Sequence, residues 1–341
     1  MKIGILTAGG DCPGLNAAIR GVGKTAMLQH GMRVFGFSSG YSGLIDNDFQ
    51  ELNENQLSGI LTVGGTILGT SREKPFKKNT KHLNKGILTK PEKIIENYRN
   101  LELDGLVCIG GNGTMKTANL LSKEGLAIVG IPKTIDNDVW GTDITFGFDS
   151  ALAIATEAID RLHSTANSHK RTMVIEVMGH HAGWLALYSG IAGGGDVILI
   201  PEIPYQEEKV IQYLRKRHAM KKPYSIVVVA EGIRSEENMT AAHYIGKVIS
   251  ENTGSETRET ILGYVQRGGT PSPMDRILAT RFGAYAAEMI ARKEFGQMVA
   301  LKGTDLTGIP LEEAGTGVRL VQTDNPLVKK ARFMGTSFGD E

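Results

Sequence analysis

The chain has 341 residues, a length that suits two domains with sizeable cores. Its 38 basic and 37 acidic side chains give a formal net charge of +1, so no overall field favours nucleic acid or an anionic membrane. Cys12 and Cys108 are too few for a disulfide framework or a cysteine-based zinc site, and no apolar run reaches the roughly 18 residues of a membrane span. These properties favour a cytoplasmic protein whose partners are small molecules.

Short apolar runs alternate with amphipathic segments along the chain. We predict strands at 2–7, 33–37, 106–109, 126–131, 172–178, 197–200 and 224–230. We predict helices at 16–29, 91–100, 149–164, 206–219 and 241–251. The recurrent order of strand, helix and strand predicts right-handed βαβ units, so the expected fold class is α/β with mainly parallel sheets. The lysine-rich run 73–90 shows little apolar periodicity and is expected to be a mobile loop.

Three glycine-rich polar segments, at 6–20, 110–114 and 130–138, follow predicted strands. In open α/β sheets ligands bind where strands end, and glycines there let backbone N–H groups approach phosphate oxygens. Thr134 and the two carboxylates of the third segment suit proton transfer or metal binding. Each segment alone is equally compatible with an ordinary turn, but their joint occurrence predicts a phosphoryl-transfer site.

The first of these segments excludes two common nucleotide motifs. It lacks the Gly-Lys-Ser/Thr ending of a Walker A loop, and it does not match Gly-x-Gly-x-x-Gly, which disfavours a dinucleotide site. Cys12, at an expected helix start, is a candidate reactive thiol, although an ordinary loop thiol is the commoner case. The adjacent His180 and His181 suggest a metal site only weakly, because they lack spaced carboxylate or cysteine partners.

Several distinct motifs occur in the order found in one enzyme family. They are Thr7–Arg20, Gly64–Arg72, Gly110–Thr114, Pro132–Asp138, Ala158–Leu162, Ser168–Arg171, Glu176–Gly179 and Leu262–Gly269. On these residues the chain resembles the 6-phosphofructokinases over nearly its whole length. Lys133 and the ending Gly335–Asp340 make it similar to the branch that mixes ATP-dependent and pyrophosphate-dependent members.

The resemblance implies two doubly wound α/β domains with mainly parallel sheets and an active site in the cleft between them. Residues 1–147 plus 260–311 would bind the phosphoryl donor, and residues 148–259 plus 312–341 would bind the sugar phosphate. The implied activity is the glycolytic transfer of a phosphoryl group from ATP to the 1-hydroxyl of fructose 6-phosphate, with Mg²⁺. Members of the family are usually homotetramers, so a homotetramer is expected here.

The resemblance also assigns catalytic roles. Asp136 matches the base that accepts the proton of the sugar hydroxyl, and Thr134 helps to position the sugar. Arg171 matches an arginine that reaches the transferring phosphoryl group from a neighbouring subunit, a task suited to a permanently charged, planar guanidinium. Arg258, also across the interface, and Arg267 match residues that hold the sugar 6-phosphate. The alternatives are a solvated loop acid for Asp136 and surface salt bridges for the arginines.

The remaining assignments by resemblance concern binding. They give sugar contacts to Asp138, Met178, Gly179, Glu231 and Tyr264, and donor contacts to Gly10, Arg72, Gly111, Asn112, Gly113, Thr114 and Lys133. Asp138 is alternatively a turn-stabilising residue. Tyr264 stands where many relatives have histidine, and a phenol can still donate to phosphate. His180 stands where well-studied relatives have arginine, which removes a fixed positive charge.

One departure concerns the metal. Asn112 stands where many relatives have aspartate, so that it can bind Mg²⁺ only through a neutral carbonyl oxygen or a coordinated water, and weaker metal affinity is expected. We expect an active enzyme, since Asp136 and the arginines are retained. A catalytically silent regulator that binds a sugar phosphate or nucleotide is the alternative. A diacylglycerol or NAD kinase would explain the segment 110–114 but not the other motifs.

The choice of donor depends on two positions. Gly113 leaves room for the α-phosphate and nucleoside of ATP, whereas pyrophosphate-dependent relatives have a carboxylate there that would collide with the α-phosphate and repel it. Lys133 is the residue those relatives use to bind pyrophosphate, but its ammonium can pair with either donor. We therefore expect ATP as the main donor, with a pyrophosphate-dependent enzyme as the alternative.

The effector site of the family is only partly matched. Arg20, Lys24 and Lys222 fit parts of its basic cluster, but His163 and Met220 replace basic residues. Fewer fixed positive charges predict weak binding of phosphorylated effectors.

Overall fold

A computed structural model of the chain describes residues 1–77, 88–235 and 238–341. Its strands are β1 Lys2–Thr7, β2 Arg33–Phe37, β3 Phe49–Leu52, β4 Gly105–Gly110, β5 Ile128–Pro132, β6 Thr172–Val177, β7 Val197–Leu199, β8 Ser225–Ala230, β9 Thr257–Ile261, β10 Gln297–Lys302 and β11 Asp305–Pro310. Its α-helices are α1 Leu15–His30, α2 Tyr41–Asp46, α3 Lys90–Asn100, α4 Asn112–Lys123, α5 Phe148–His169, α6 Trp184–Ala192, α7 Glu207–Ala219, α8 Ala241–Thr253, α9 Pro273–Ala291, α10 Leu311–Ala314 and α11 Pro326–Phe333. Residues 78–87 of the expected lysine-rich loop lie outside the described residues.

The chain divides into two compact units. The first unit comprises 1–134, 138–147 and 267–318, and the second unit comprises 135–137, 148–266 and 319–341. The later crossings lie at Arg267 and Arg319 rather than near 260 and 312. β9 pairs with β6 and therefore keeps residues 260 and 261 in the second unit, whereas α10 contacts α4 and keeps 312–314 in the first.

The first unit is built on a seven-stranded sheet with the order β11-β10-β5-β4-β1-β2-β3. The central strands are parallel, and only the pairs β2–β3 and β10–β11 are antiparallel among the described residues of this sheet. Every residue of β4 and of β5 is buried, as expected for near-continuous apolar strands covered on both faces. The predicted α/β class with mainly parallel sheets is confirmed.

Helices α1 and α9 of the first unit cross with their backbones in direct contact. A Cβ atom built on Gly21 would lie 2.6 Å from the carbonyl oxygen of Thr280, and one built on Gly283 would lie 2.4 Å from that of Ala18. Neither backbone can move away cheaply, so glycine is required at both positions. The crossing lies close to the start of α1 at Leu15, which falls within the first glycine-rich segment.

The second unit contains a four-stranded parallel sheet with the order β7-β8-β6-β9. β6 lies inside the sheet, because its residue Thr172 pairs with Ser225 of β8 on one side and with Thr257 of β9 on the other. All residues of β6 and β8 are buried. Helices α5 and α6 contact each other, as do α7 and α8, and α5, α6 and α8 also contact the sheet. No helix in the described part of the chain is long and apolar enough to cross a membrane.

Candidate active site

Three neighbouring strands of the first unit end at the same edge of the sheet. β1, β4 and β5 are parallel, with Thr7 level with Ile109 and Gly110 level with Pro132. Their carboxyl ends lead into Gly9–Gly10, Gly111–Asn112 and Lys133, which we call the strand-end cluster. The segments are joined by backbone hydrogen bonds, including one of 2.9 Å from the N–H of Lys133 to the carbonyl of Gly110. The glycine-rich segments predicted from sequence therefore do come together.

The N-terminus of α4 lies within this cluster. Its N-cap, Gly111, provides no side-chain cap, so the positive end of the helix dipole can favour an anion there. Gly110 permits the tight turn, because a Cβ there would lie 2.2 Å from Oγ1 of Thr114. Gly113 is exposed, and a Cβ built on it meets no atom within 4 Å. The helix start is therefore open to a phosphate group.

Two cationic side chains lie against Gly10. Lys133 is only 3% exposed, and its ammonium donates a hydrogen bond to the carbonyl of Gly10. The guanidinium of Arg267 donates through Nη1 to the carbonyl of Asp11 at 3.2 Å, and a Cβ on Gly10 would lie 2.9 Å from the same nitrogen. Two positive charges beside glycine N–H groups form a favourable environment for a polyphosphate.

Cys12, in the same segment, is an inert thiol. It is fully buried, and this burial raises the pKa of its thiol to about 12, against the opposing effect of nearby Lys133. Helix α1 begins only at Leu15, after Gly14, so Cys12 does not occupy the helix start. The ordinary-thiol interpretation therefore fits the structure, and the reactive-thiol alternative does not.

Asn112 and Asp138 form a hydrogen-bonded pair. Nδ2 of Asn112 donates to Oδ2 of Asp138 at 2.8 Å and to the Asp138 carbonyl at 3.3 Å. Burial raises the pKa of the Asp138 carboxyl, while hydrogen bonds and Lys133 act in the opposite direction. Oδ1 of Asn112 is buried and accepts no hydrogen bond from the described residues. This oxygen is therefore available to a metal or to a coordinated water.

The second unit brings together four residues that we call the sugar cluster: Met178, Gly179, Glu231 and Gln266. Val177 of β6 is level with Ala230 of β8, so the residues that follow meet at one sheet edge. Oε1 of Glu231 accepts hydrogen bonds from the N–H of Gly179 at 3.3 Å and from the N–H of His180 at 2.8 Å. Oε1 of Gln266 accepts a hydrogen bond from the N–H of Met178 at 3.3 Å. The assigned sugar residues Met178, Gly179 and Glu231 are therefore neighbours.

Two assigned arginines lie together elsewhere in the second unit. Nε of Arg171 donates to Glu256 at 2.7 Å, and Arg258 donates to the same carboxylate. The hydrogen bond from Arg171 and the charges of both arginines lower the pKa of Glu256. Arg171 precedes β6 and Arg258 lies near the start of parallel β9, whereas the sugar cluster follows the carboxyl ends of the strands. A six-residue strand separates these ends by about 20 Å.

Asp136 lies in the short segment 135–137 that belongs to the second unit. The next residue, Asn137, has a left-handed backbone with φ of 52°, and its carbonyl accepts from Nη1 of Arg319 at 3.1 Å. Thr134 is buried, and its carbonyl accepts a hydrogen bond of 2.8 Å from Thr145. Two other assigned residues, Arg72 and Tyr264, have exposed side chains.

The rings of the adjacent histidines of the second unit, His180 and His181, lie against each other at a tilt of 32°, with their centroids 3.8 Å apart. Among the described residues, no group of three histidine, cysteine, aspartate or glutamate side chains could hold a metal ion. The pair therefore gains no further ligand of that kind from the fold.

Sequence reasoning missed three functional candidates: Glu256, Gln266 and Arg319. Glu256 is two residues from Arg258, and the period of two in a strand would have placed both side chains on one face. Gln266 is adjacent to Arg267 within a recognised motif. Arg319 lies in a region without motif or apolar period, so only its three-dimensional contacts identify it.

Comparison with known proteins decides the family. A family model described as phosphofructokinase matches residues 2–290. The chain belongs to the phosphofructokinase family. It is 58% identical over 342 residues to "ATP-dependent 6-phosphofructokinase 3" of Bacteroides thetaiotaomicron, covering 99% of this chain and 100% of that protein.

Two further relatives show the breadth of the family. The chain is 45% identical over 339 residues to "Pyrophosphate--fructose 6-phosphate 1-phosphotransferase" of Amycolatopsis methanolica, covering 94% of this chain and 96% of that protein. It is similar to the solved phosphofructokinase structure from Saccharomyces cerevisiae, with a TM-score of 0.82 and 34% identity. That match covers 92% of this chain and 45% of the yeast chain. The expected similarity to a branch with both donors is confirmed.

Proposed function

We propose that the protein is an ATP-dependent 6-phosphofructokinase of glycolysis, which transfers the terminal phosphoryl group of ATP to the 1-hydroxyl of fructose 6-phosphate. The observation that supports this best is the strand-end cluster, where glycine N–H groups, the α4 N-terminus and two cations surround one edge of the sheet. The relatives named ATP-dependent 6-phosphofructokinase support it further, since the match covers essentially both chains.

The first unit is proposed to bind the donor. Gly10 and Gly111 follow the ends of β1 and β4, and Thr114 lies in the first turn of α4. Lys133 and Arg267 supply positive charge beside Gly10. Preorganised dipoles and cations stabilise the charge on phosphoryl oxygens in the transition state. The contacts of Arg267 with Asp11 and Gly10 suggest that it serves this region in addition to, or in place of, the sugar phosphate. Its assignment to the sugar phosphate stays a prediction.

The second unit is proposed to bind the sugar and to provide the base. Asp136 accepts the proton from the sugar 1-hydroxyl while that oxygen forms its bond to phosphorus and the bond to the departing ADP oxygen breaks. Thr134 and Asp138 flank it along the chain. Glu231, which is fixed by two backbone N–H groups, has acceptor capacity left for a sugar hydroxyl.

Arg171 and Arg258 are proposed to act on a neighbouring subunit. Within one chain they lie at the amino ends of β6 and β9, about 20 Å from the residues that follow the carboxyl end of β6. A single chain therefore does not place them beside its own sugar cluster. An assembly of at least two copies would supply them, and the homotetramer expected from the family is one such assembly.

Mg²⁺ is proposed to bind at Asn112 and Asp138. The buried Oδ1 of Asn112 and the Asp138 carboxylate are oxygen ligands of the type that Mg²⁺ prefers, and such sites use one or two protein ligands beside phosphates and waters. The ion would neutralise phosphate charge. The residues present therefore fit the metal, with a neutral amide where a carboxylate would bind more tightly.

ATP is proposed as the main donor because the space at Gly113 is open. No atom lies within 4 Å of a Cβ built there, so the glycine leaves the helix start accessible to a larger donor. Lys133 can pair with a terminal phosphate of either donor. Cytoplasmic location is proposed together with this glycolytic role.

The proposal is tested by a coupled assay of fructose 1,6-bisphosphate formation with MgATP and Mg-pyrophosphate side by side. We expect kcat/KM to be higher with MgATP. A higher value with pyrophosphate would reassign the donor, and no product with either would favour a silent binding protein. Fructose 6-phosphate binding measured by calorimetry then separates an inactive binder from a protein that does not recognise the sugar.

A further inference from the structure

Arg319, in the C-terminal part of the second unit, contacts the segment that contains Asp136. Its Nη1 donates to the carbonyl of Asn137 at 3.1 Å. Asn137 is buried and has a left-handed backbone, a conformation that non-glycine residues adopt only when the surroundings hold it. The arginine therefore acts on the backbone immediately beside the proposed base.

The orientation of Arg319 is fixed by Trp184 at both ends of the residue. The guanidinium carbon lies 4.1 Å from the centroid of the indole ring, an arrangement that attracts a cation to the ring face. In the opposite direction, Nε1 of Trp184 donates to the carbonyl of Arg319 at 2.8 Å. We call Arg319 and Trp184 the tail clamp. The ring sets the plane of the guanidinium, and the backbone bond sets the position of the residue.

Glu202 holds both sides of the tail clamp. Its carboxylate accepts from the N–H of Gly183, which precedes Trp184, at 2.8 and 3.1 Å. It also accepts from the N–H of Val321, two residues after Arg319, at 3.0 Å. A carboxylate at the start of α6 is stabilised by the helix dipole, so this anchor is favourable in itself. The clamp is therefore a built arrangement with several mutually supporting contacts.

We propose that Arg319 is a positioning residue that sets the direction of the Asp136 side chain by fixing the carbonyl of Asn137. The inference rests on the proposed function of Asp136 as the base. A general base must lie within hydrogen-bond reach of the proton that it accepts, and displacement by about 1 Å can lower a rate by about 100-fold. Loss of the clamp changes this alignment without removing any group that touches the substrates.

The test compares Arg319→Ala, Arg319→Lys and Arg332→Ala in the full chain. Arg332 is a matched control, because it also belongs to the C-terminal part of the second unit and its guanidinium also lies near an aromatic ring, 4.9 Å from the ring centroid of Phe338. It differs in its hydrogen-bond partners, which are the carboxylates of Asp340 and Glu341. We expect Arg319→Ala to lower kcat about 10- to 100-fold with KM for fructose 6-phosphate within about threefold. Lysine should restore part of kcat, since it donates to the carbonyl but does not stack as a planar fork.

Added methylguanidinium should raise kcat of Arg319→Ala and leave wild type and Arg332→Ala unchanged, a response that a general loss of packing would not show. Binding of methylguanidinium to Arg319→Ala should also change Trp184 fluorescence in a Trp140→Phe background, which needs no activity. The inference is overturned if wild type is active and Arg319→Ala keeps its kcat, or if both alanine variants lose kcat equally. It is also overturned if methylguanidinium has no effect on the fluorescence. Failure of the proposed function appears separately, as absence of product with the wild-type protein.

Discussion

Asn112→Asp should make the stability of the protein depend on pH and on Mg²⁺. In the present structure the amide of Asn112 donates to Oδ2 of Asp138 at 2.8 Å. The substitution places a second carboxylate at that position and converts a hydrogen bond into a like-charge contact. The Asp138 carboxyl already has a raised pKa because it is buried, so solvent can relieve the repulsion only in part.

The magnitude follows from the separation of the charges. Two negative charges about 4 Å apart repel by about 4 kcal/mol at an effective dielectric constant near 20, which corresponds to roughly 3 pKa units. Rotation of either side chain will lower this, and we expect a loss of about 1–3 kcal/mol of unfolding free energy at pH 8 relative to Asn112→Ala. Asn112→Ala is the matched control because it removes the same hydrogen bond and adds no charge.

The sign of the pH dependence follows from proton binding. One carboxyl of the pair has a folded-state pKa above its unfolded value near 3.9, so the folded state binds more protons. Relative to Asn112→Ala, the stability of Asn112→Asp is therefore highest below about pH 4 and falls as the pH rises through the raised pKa. Mg²⁺ should restore much of the loss at pH 8, because a divalent cation neutralises both carboxylates.

Urea denaturation of both variants at several pH values, with and without millimolar Mg²⁺, measures these effects. Parallel pH profiles for Asn112→Asp and Asn112→Ala would refute the geometry of the pair. A pH-dependent loss that Mg²⁺ does not relieve would refute the proposed metal position while leaving the geometry intact.

Four further outcomes are expected. Asp136→Asn should lower kcat by about 10² to 10⁴-fold while calorimetry still detects fructose 6-phosphate binding, and a kcat above a tenth of wild type would contradict its role as the base. Gly113→Asp should fold normally but lose ATP use in the coupled assay by a factor of about 10² or more, so that intact ATP use would disprove the donor argument. Gly21→Ala should lower the unfolding free energy, measured by urea denaturation, by about 1–3 kcal/mol. Gly113→Ala should not lower it, because the added Cβ meets no atom within 4 Å, and equal stability of the two variants would contradict the tight helix crossing. Initial-rate kinetics should show little inhibition by phosphoenolpyruvate and little activation by ADP, because His163 and Met220 replace basic residues of the effector site, and the His163 ring is hydrogen-bonded to Tyr224 and to the carbonyl of Gly193. Sigmoidal sugar saturation relieved by ADP would contradict this.

Most of the parallel core was predictable from sequence, and most of the edge strands were not. All seven predicted strands exist, and their bounds differ from the observed ones by at most two residues, because buried parallel strands such as β4 and β8 are continuous apolar runs. Four strands, β3, β9, β10 and β11, were missed. Most residues of β3, β9 and β11 are exposed or only half-buried, and these strands show neither an apolar run nor a regular alternation. β10 contains the buried apolar run 298–300, but so short a run does not distinguish a strand from a helix.

The candidate site was predictable where local pattern decides it. Glycines at strand ends identified the strand-end cluster, because a close approach between backbone segments requires glycine and is therefore visible in the local sequence. The separation of Arg171 from Glu231 depends on which end of β6 each residue adjoins, and sequence proximity alone does not give that. The contact between Arg319 and Asn137 joins residues 182 positions apart, and no local signal specifies such a pair.

The crossing of α1 and α9 affects the order in which the chain can fold during synthesis. Gly21 of α1 meets Thr280, and the sheet edge at β5 is completed by β10, so both partners emerge from the ribosome long after the segments that they cover. Until then one face of α1 and the free backbone of β5 remain uncovered and prone to wrong pairing. Residues 148–266 are synthesised before α9 and β10, and they contain all four strands of the second sheet. A released chain truncated before residue 273 should therefore contain an ordered second sheet and an incomplete first one.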